Sequence, residues 1–306
     1  MKRFLLKIIV PSVVLIMAVV VLWEFVLHAF PHEHMYKSHW MDSHAGEVQV
    51  LVLGSSNTNR AVIPTSLGLG RGFSCAGSSQ DIQNDYWILQ RYIDRMDSLK
   101  YVVLDLNYLS LFLNIDYDDD YAALRKKYAI YWDNPHYSVS TLERLEVSRF
   151  NWLVWWQETL SRTDTIHEDG HASLAVEPYN DEYWRYYGWR TALEHTKVND
   201  STAMTIYSGN MANLRKIAEM CAGRGITVVL LSCPVHEYFR SFIEQRQLDM
   251  LHAATDSLCA EYHNVVYMDY MASPLFTADD MSNANHLNRR GALRFTQMVG
   301  DSIRNL

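Results

Sequence analysis

The chain has 306 residues, 49% hydrophobic and 20% charged, the balance of an ordinary globular protein. Its 27 Lys+Arg against 35 Asp+Glu give a net charge of −8, which argues against nucleic acid as a partner, since that needs a basic footprint. The four cysteines (Cys75, Cys221, Cys233, Cys259) show no Cys-x-x-Cys spacing, which argues against structural zinc and leaves any disulfide pairing open.

Residues 4–27, FLLKIIVPSVVLIMAVVVLWEFVL, are the first element. A helix crossing the hydrocarbon core needs about 20 mostly apolar residues, and this run supplies them. A cleaved signal peptide has an apolar region of only about 7–15 residues, so the run reads as an uncleaved anchor. Pro11 is tolerated in such a helix. Lys2, Arg3 and Lys7 precede the apolar stretch, and no Lys or Arg follows until Lys37. The positive-inside rule then places the N-terminus in the cytoplasm and the rest outside, in a single-pass protein of the cytoplasmic membrane. Residues 1–30 are thus the cytoplasmic tip and anchor. Residues 28–46 carry five histidines (His28, His32, His34, His39, His44) without regular ligand spacing, so 31–46 reads as a polar stalk and not a metal site.

An α/β pattern begins at 47. EVQVLVL (47–53) is an apolar strand ending at Gly54, and GFSCA (72–76) a short second strand. Ile82, Tyr86, Leu89, Ile93 and Met96 recur at helical spacing. YVVLDL (101–106) is a third strand. Met211, Leu214, Ala218 and Cys221 mark a helix stopped by Gly223 and Gly225, and ITVVLLS (226–232) a fourth strand halted by Pro234. A helix around 240–262 leads to a fifth strand, VVYMD (265–269), and the last helix carries Ala292, Phe295, Val299 and Ile303 on one face. Alternating strands and helices predict a parallel sheet covered on both faces, a three-layer α/β/α fold of flavodoxin-like type built from 47–107 and 206–306. Residues 108–205 interrupt it. They hold six of the nine tryptophans (Trp132, Trp152, Trp155, Trp156, Trp184, Trp189) and read as a helical aromatic insertion, a cap or accessory lobe. Within it, Tyr183-Trp184-Arg185-Tyr186-Tyr187 is the part expected to face a ligand.

Ligands of open parallel sheets bind at the carboxyl ends of the strands. There lie Gly54-Ser55-Ser56-Asn57 after the first strand, Gly77-Ser78-Ser79 after the second, Asn107 after the third, His236 after the fourth and 279–288 after the fifth. A serine, a glycine turn, an asparagine and a late histidine are the parts acyl transfer needs: nucleophile, oxyanion donors and general base. Gly54-Ser55-Ser56-Asn57-Thr58 lacks the second glycine of a nucleophile elbow, which disfavours an α/β-hydrolase.

VLVLGSS (50–56) and NANHLNRRGALRF (283–295), in this order with Gly77 and Asn107 between them, resemble the first and last blocks of the SGNH/GDSL hydrolase superfamily, in particular its membrane-anchored branch in bacterial envelopes. The resemblance spans the sheet framework and leaves out the insertion. It implies Ser56 as nucleophile, His286 as base, and an oxyanion hole made by the amides of Ser56 and Gly77 with the Asn107 side chain. Asn283 stands where the family has the Asp that orients the histidine, with Asp279 or Asp280 as substitutes if the loop folds back. Ser55 stands where many members have Asp. Asn107 follows Asp105-Leu106 instead of the family's Gly-x-Asn. Asn57, Arg60 and His236 are candidate substrate contacts, Arg60 for an anionic one. No metal or organic cofactor is implied. The expected activity is an esterase or O-acyltransferase acting on an envelope glycan or lipid, with a membrane protein as a conceivable acyl donor. The competing expectation is a catalytically degenerate domain that binds or scaffolds envelope polysaccharide machinery, which Asn283 favours.

Overall fold

The computed structural model describes residues 2–29, 32–146, 164–174 and 179–306. In chain order the strands are β1 (Val50–Leu53), β2 (Gly72–Ser74), β3 (Tyr101–Asp105), β4 (Asp164–Ile166), β5 (Ala172–Leu174), β6 (Thr227–Ser232), β7 (Val265–Asp269), β8 (Met281–Asn283) and β9 (His286–Leu287). The α-helices are α1 (Lys2–Ala29), α2 (Glu33–His44), α3 (Ser56–Ala61), α4 (Ile82–Tyr92), α5 (Ala122–Tyr131), α6 (Asp181–His195), α7 (Ala203–Ala222), α8 (Glu237–Arg240), α9 (Gln245–Glu261) and α10 (Arg289–Arg304).

The central sheet has the order β2-β1-β3-β6-β7, and every neighbouring pair is parallel. Its three inner strands, β1, β3 and β6, are short β-branched and leucine runs with both faces buried, the pattern of a sheet covered on each side. Leu51, Leu53, Phe73, Val102, Leu104, Val228 and Leu230 pack in one core with Ile88 and Leu89 of α4, Leu214 and Ile217 of α7, and Leu251 and Leu258 of α9. Val50, Val52, Val103, Val229 and Leu231 belong to the opposite core, with Phe295, Val299 and Ile303 of α10. Each such side chain contributes about 1.5–3 kcal/mol by leaving water. This is the expected three-layer α/β/α arrangement. The winding reverses between β1 and β3, so a crevice opens at their carboxyl ends. The last helix buries the face read from its sequence, and Asn288 caps it by accepting from the Gly291 amide at 2.9 Å.

In α1, Lys7–Leu27 is long and apolar enough to cross a membrane or to act as a signal sequence, and the apolar side chains of Ile8–Leu22 are exposed.

Residues expected as a stalk fold instead as α2 against the domain. Met35 and Met41 enter the core beside α4, and Trp40 stacks on Phe73 with ring centroids 3.8 Å apart. Lys37 is only 1% exposed, because its ammonium is met by Glu33 Oε1 at 2.6 Å, Asn59 Oδ1 at 3.1 Å and the Ala76 carbonyl. Burial works to raise the Glu33 pKa, but Lys37 and Asn59, with the charge of Arg60, outweigh it and hold the carboxylate below its usual value. Three of the stalk histidines also have structural partners. His32 caps α2, His34 accepts from Trp132 Nε1 at 3.0 Å, and His44 Nδ1 lies 3.0 Å from the Trp40 carbonyl.

The insertion is not helical throughout. Besides α5 and α6 it holds the antiparallel hairpin β4–β5, whose turn residue Asp169 takes the Ser74 amide on its carbonyl at 2.8 Å and Thr65 Oγ1 on its carboxylate at 2.7 Å. The hairpin thus covers the end of edge strand β2. Trp132 and Trp184 are core residues, whereas Trp189 is exposed; Trp152, Trp155 and Trp156 lie outside the described residues. All four cysteines are free thiols.

Candidate active site

At the end of β1 the chain must turn sharply, and Gly54 does so with φ +116°. A Cβ there would lie 2.1 Å from Asp105 Cβ, so only glycine fits. Ser55 then caps α3: its hydroxyl accepts from the Asn57 amide at 3.4 Å and donates to Asp105 Oδ2, which also takes the Ser55 amide at 3.1 Å. Because Ser55 does the capping, the Ser56 hydroxyl is left for a partner outside its own helix. It lies 3.0 Å from Nε2 of His286.

The β8–β9 hairpin brings the histidine back, pairing Asn283 with His286. Asn283 Oδ1 accepts the backbone amides of Asn285 and His286 at 3.1 and 3.0 Å, which identifies that atom as the oxygen, and it lies 3.1 Å from His286 Nδ1. Arg60, one turn after Ser56 on the same face of α3, places Nη1 2.9 Å from His286 Nε2. Guanidinium only donates, so Nε2 is the unprotonated nitrogen and Nδ1–H donates to Asn283. The imidazole therefore holds a lone pair toward Ser56, the tautomer a general base needs. Burial first, then the charges of Arg60 and His195, push its pKa well below the ordinary histidine value. His195 is itself lowered to about 4 by burial.

Of the expected oxyanion donors, Ser56 heads the first turn of α3, where backbone amides have no intrahelical acceptor. Gly77 and Asn107 lie nearby but are committed elsewhere. The Gly77 amide donates to the Gly54 carbonyl at 2.9 Å. Asn107 Nδ2 donates to Asp105 Oδ2 at 2.8 Å and to Ser55 Oγ at 3.2 Å, which uses both amide hydrogens, while its Oδ1 takes the Leu109 amide. Both brace the Gly54–Ser55 turn in place of facing the reacting centre, a correction to their expected role that follows from Asp105 filling the turn. Asn57 is buried in α3. His236 caps α8 through Nδ1 and packs edge-on against Trp184 at 5.4 Å, which is a structural assignment in place of the expected substrate contact. Asp280 is engaged by Arg290 and Arg294, so it does not replace Asn283 as the histidine's partner.

Sequence reasoning gave no role to two carboxylates, Asp105 and Asp85, whereas Tyr187 lies in the aromatic run expected to face a ligand. Asp105, pushed up to about 6 by burial against its bonds to Ser55 and Asn107, was legible as a lone carboxylate in an apolar strand. Asp85 accepts the Gly54 amide at 2.8 Å from within α4. Tyr187 of α6 accepts from Asn283 Nδ2 at 3.5 Å, linking the aromatic helix to the histidine's support.

No family model and no curated protein matches this chain. A solved structure from Streptococcus pneumonia, of a protein named a putative platelet activating factor, is similar over 94% of this chain and 98% of that one, with 12% identity and a TM-score of 0.43.

Proposed function

We propose that the chain is a membrane-anchored serine esterase or O-acyltransferase of SGNH type, with its α/β domain outside the cytoplasmic membrane and an envelope glycan or lipid as substrate. The observation that carries this reading is the 3.0 Å approach of Ser56 Oγ to the acceptor nitrogen of His286 at the carboxyl edge of a parallel sheet. As Ser56 Oγ bonds to the acyl carbon, Nε2 takes the hydroxyl proton and the carbonyl electron pair moves onto oxygen, where the Ser56 amide receives it. Collapse of that oxyanion breaks the bond to the leaving alkoxide, which takes the proton from Nε2. Water or a sugar hydroxyl then attacks the acyl-serine by the reverse sequence. Water gives hydrolysis and a sugar hydroxyl gives transfer.

The test is hydrolysis of p-nitrophenyl acetate by the full chain in detergent. Ser56→Ala and His286→Ala are each expected to lose at least about 10³-fold in kcat, since units of a serine–histidine pair fail together. Equal rates in all three proteins would sink the reading. The second reading, a binding domain without catalysis, is favoured by one feature, the amide of Asn283 where a carboxylate would stabilise imidazolium. On that reading envelope glycan is retained equally by wild type and Ser56→Ala and no ester is turned over.

A further inference from the structure

Helix α6 carries an aromatic face that the serine–histidine chemistry leaves unused. Its inner side is fixed. Trp184, Gly188, Thr191 and Ala192 are buried, and a Cβ on Gly188 would stand 2.7 Å from the Tyr238 carbonyl, so α6 and α8 meet too closely for a larger residue. Asp181 holds the start of the helix by accepting the hydroxyls of Tyr179, at 2.8 Å, and Tyr238. With its rotation set in this way, α6 turns Tyr183, Tyr186 and Trp189 to solvent at 44, 55 and 44% exposure, on an inclined row of every third residue. Neighbouring rings stand close: Tyr183 and Tyr187 have centroids 6.1 Å apart, Tyr186 and Trp189 5.8 Å. The row begins beside the reacting centre, because Tyr187 accepts from Asn283 Nδ2 at 3.5 Å and Asn283 Oδ1 lies 3.1 Å from His286 Nδ1.

Resting on the proposed reaction at Ser56, we propose that α6 is the glycan subsite of that same site: a polysaccharide strand lies along Tyr183, Tyr186 and Trp189 and so brings one of its sugar units to Ser56 and His286. The composition of the face selects this occupant. Contiguous exposed rings mark a binding surface. The Arg190–Glu194 ion pair, 2.7 Å from Nε to Oε1, lies among them on the same side of the helix by its spacing. A hydrocarbon or a dry protein partner would strip water from that pair at a cost, whereas a hydrated ligand leaves it wet. A hexopyranose meets both demands. Its C–H groups, slightly positive, rest on the negative face of an aromatic ring, and its hydroxyls reach phenol, indole and charged groups at the rim. The substrate class is therefore glycan and not lipid, and the three rings are specificity residues that position the chain.

The test titrates cellohexaose, chitohexaose and mannohexaose, at millimolar concentration, into the full chain in a detergent without a sugar headgroup, read by saturation-transfer NMR. Every hexopyranose presents a C–H face, so this panel is a sufficient probe of stacking. Ser56→Ala serves as a second background in which no ester turnover enters the reading. At least one oligosaccharide is expected to bind both proteins through its ring C–H protons. Tyr186→Ala/Trp189→Ala should weaken that affinity by at least about tenfold, the loss of two stacking contacts. Tyr186→Phe/Trp189→Phe keeps the rings and should retain it, which separates stacking from a defect of folding. No binding of any of the three sugars, or equal binding after both rings are removed, overturns the subsite even if Ser56 is the nucleophile. Binding that is lost with the rings supports the subsite even if p-nitrophenyl acetate is not turned over and the hydrolase reading fails. In vesicles of phosphatidylcholine with brominated chains, tryptophan quenching that disappears in Trp189→Phe would assign the face to the bilayer and overturn the proposal. A dimer that Tyr186→Ala/Trp189→Ala splits would assign it to a second copy of the chain, with the same consequence.

Discussion

At the scale of single residues, the neutral partner of His286 sets how strong a base it can be. Asn283 orients the ring and fixes its tautomer, but it does not stabilise the charged form that appears during proton transfer. In a serine protease the exchange of Asp for Asn at the analogous position costs about 10⁴ in kcat. Asn283→Asp should therefore raise kcat for p-nitrophenyl acetate, by at least about tenfold, because a carboxylate oxygen can accept the same two backbone amides that Oδ1 now accepts. The pH profile separates this from a packing effect. In wild type His286 is held well below 6.5 by burial and Arg60, so it remains a free base and the acid limb of kcat/KM lies well below pH 6.5. Asn283→Asp should move that limb upward; an unmoved limb with an unchanged rate would contradict the role given to Asn283. The stability linkage has the same origin. A histidine with a depressed folded pKa supports the fold above its unfolded pKa and loses that contribution as pH falls through the window below 6.5. Asp105 acts oppositely: raised to about 6, it favours the fold in its protonated form and gives up that contribution as pH rises through 6.

At the scale of elements, the sheet and its helices were legible because their signals are local. Runs such as Val50–Leu53 and Thr227–Ser232 announce buried strands, and Ala292, Phe295, Val299 and Ile303 announce one helix face. Helix α2 was not legible, since it buries His34, Lys37 and Ser38 alongside Met35 and Met41, and no apolar stripe marks its inner face. Its stability depends on partners far away in sequence, Asn59 and the Ala76 carbonyl. The same holds for the turn after β1. Ser56 and His286 were identifiable from motif order, but the use of Gly77 and Asn107 as braces depends on Asp105 sitting under Gly54, which spacing does not reveal. Removing one partner of a buried ion pair leaves the other uncompensated, at a typical cost of about 3–5 kcal/mol. Lys37→Ala should destabilise the domain by that order in urea unfolding, through loss of the contact to Glu33. A change under about 0.5 kcal/mol would mean that α2 does not hold α3 in place. Any soluble version should accordingly begin at residue 32 and not at 46.

At the scale of the whole molecule, α2 shortens the link between the apolar helix α1 and the domain. The apolar helix ends at Ala29 and the domain's own helix begins at Glu33, so the long polar stalk read from the histidines does not exist. Glu24 of α1 also accepts the Glu146 amide at 2.9 Å. On the proposed topology the site works close to the outer face of the bilayer, which suits a membrane-borne acyl donor or a substrate still attached to its lipid. Sheet, caps and hairpin serve one arrangement: Ser56 and His286 held within hydrogen-bond distance at the reversal point of the sheet, with Arg60 Nη1 2.9 Å from the same ring nitrogen. The most direct test is to treat the full chain in detergent with a fluorophosphonate, digest it and locate the adduct by mass spectrometry, with His286→Ala in parallel. The account predicts a single adduct on Ser56 that His286→Ala suppresses. An adduct on any other serine, or a Ser56 adduct that forms equally fast without His286, would contradict it.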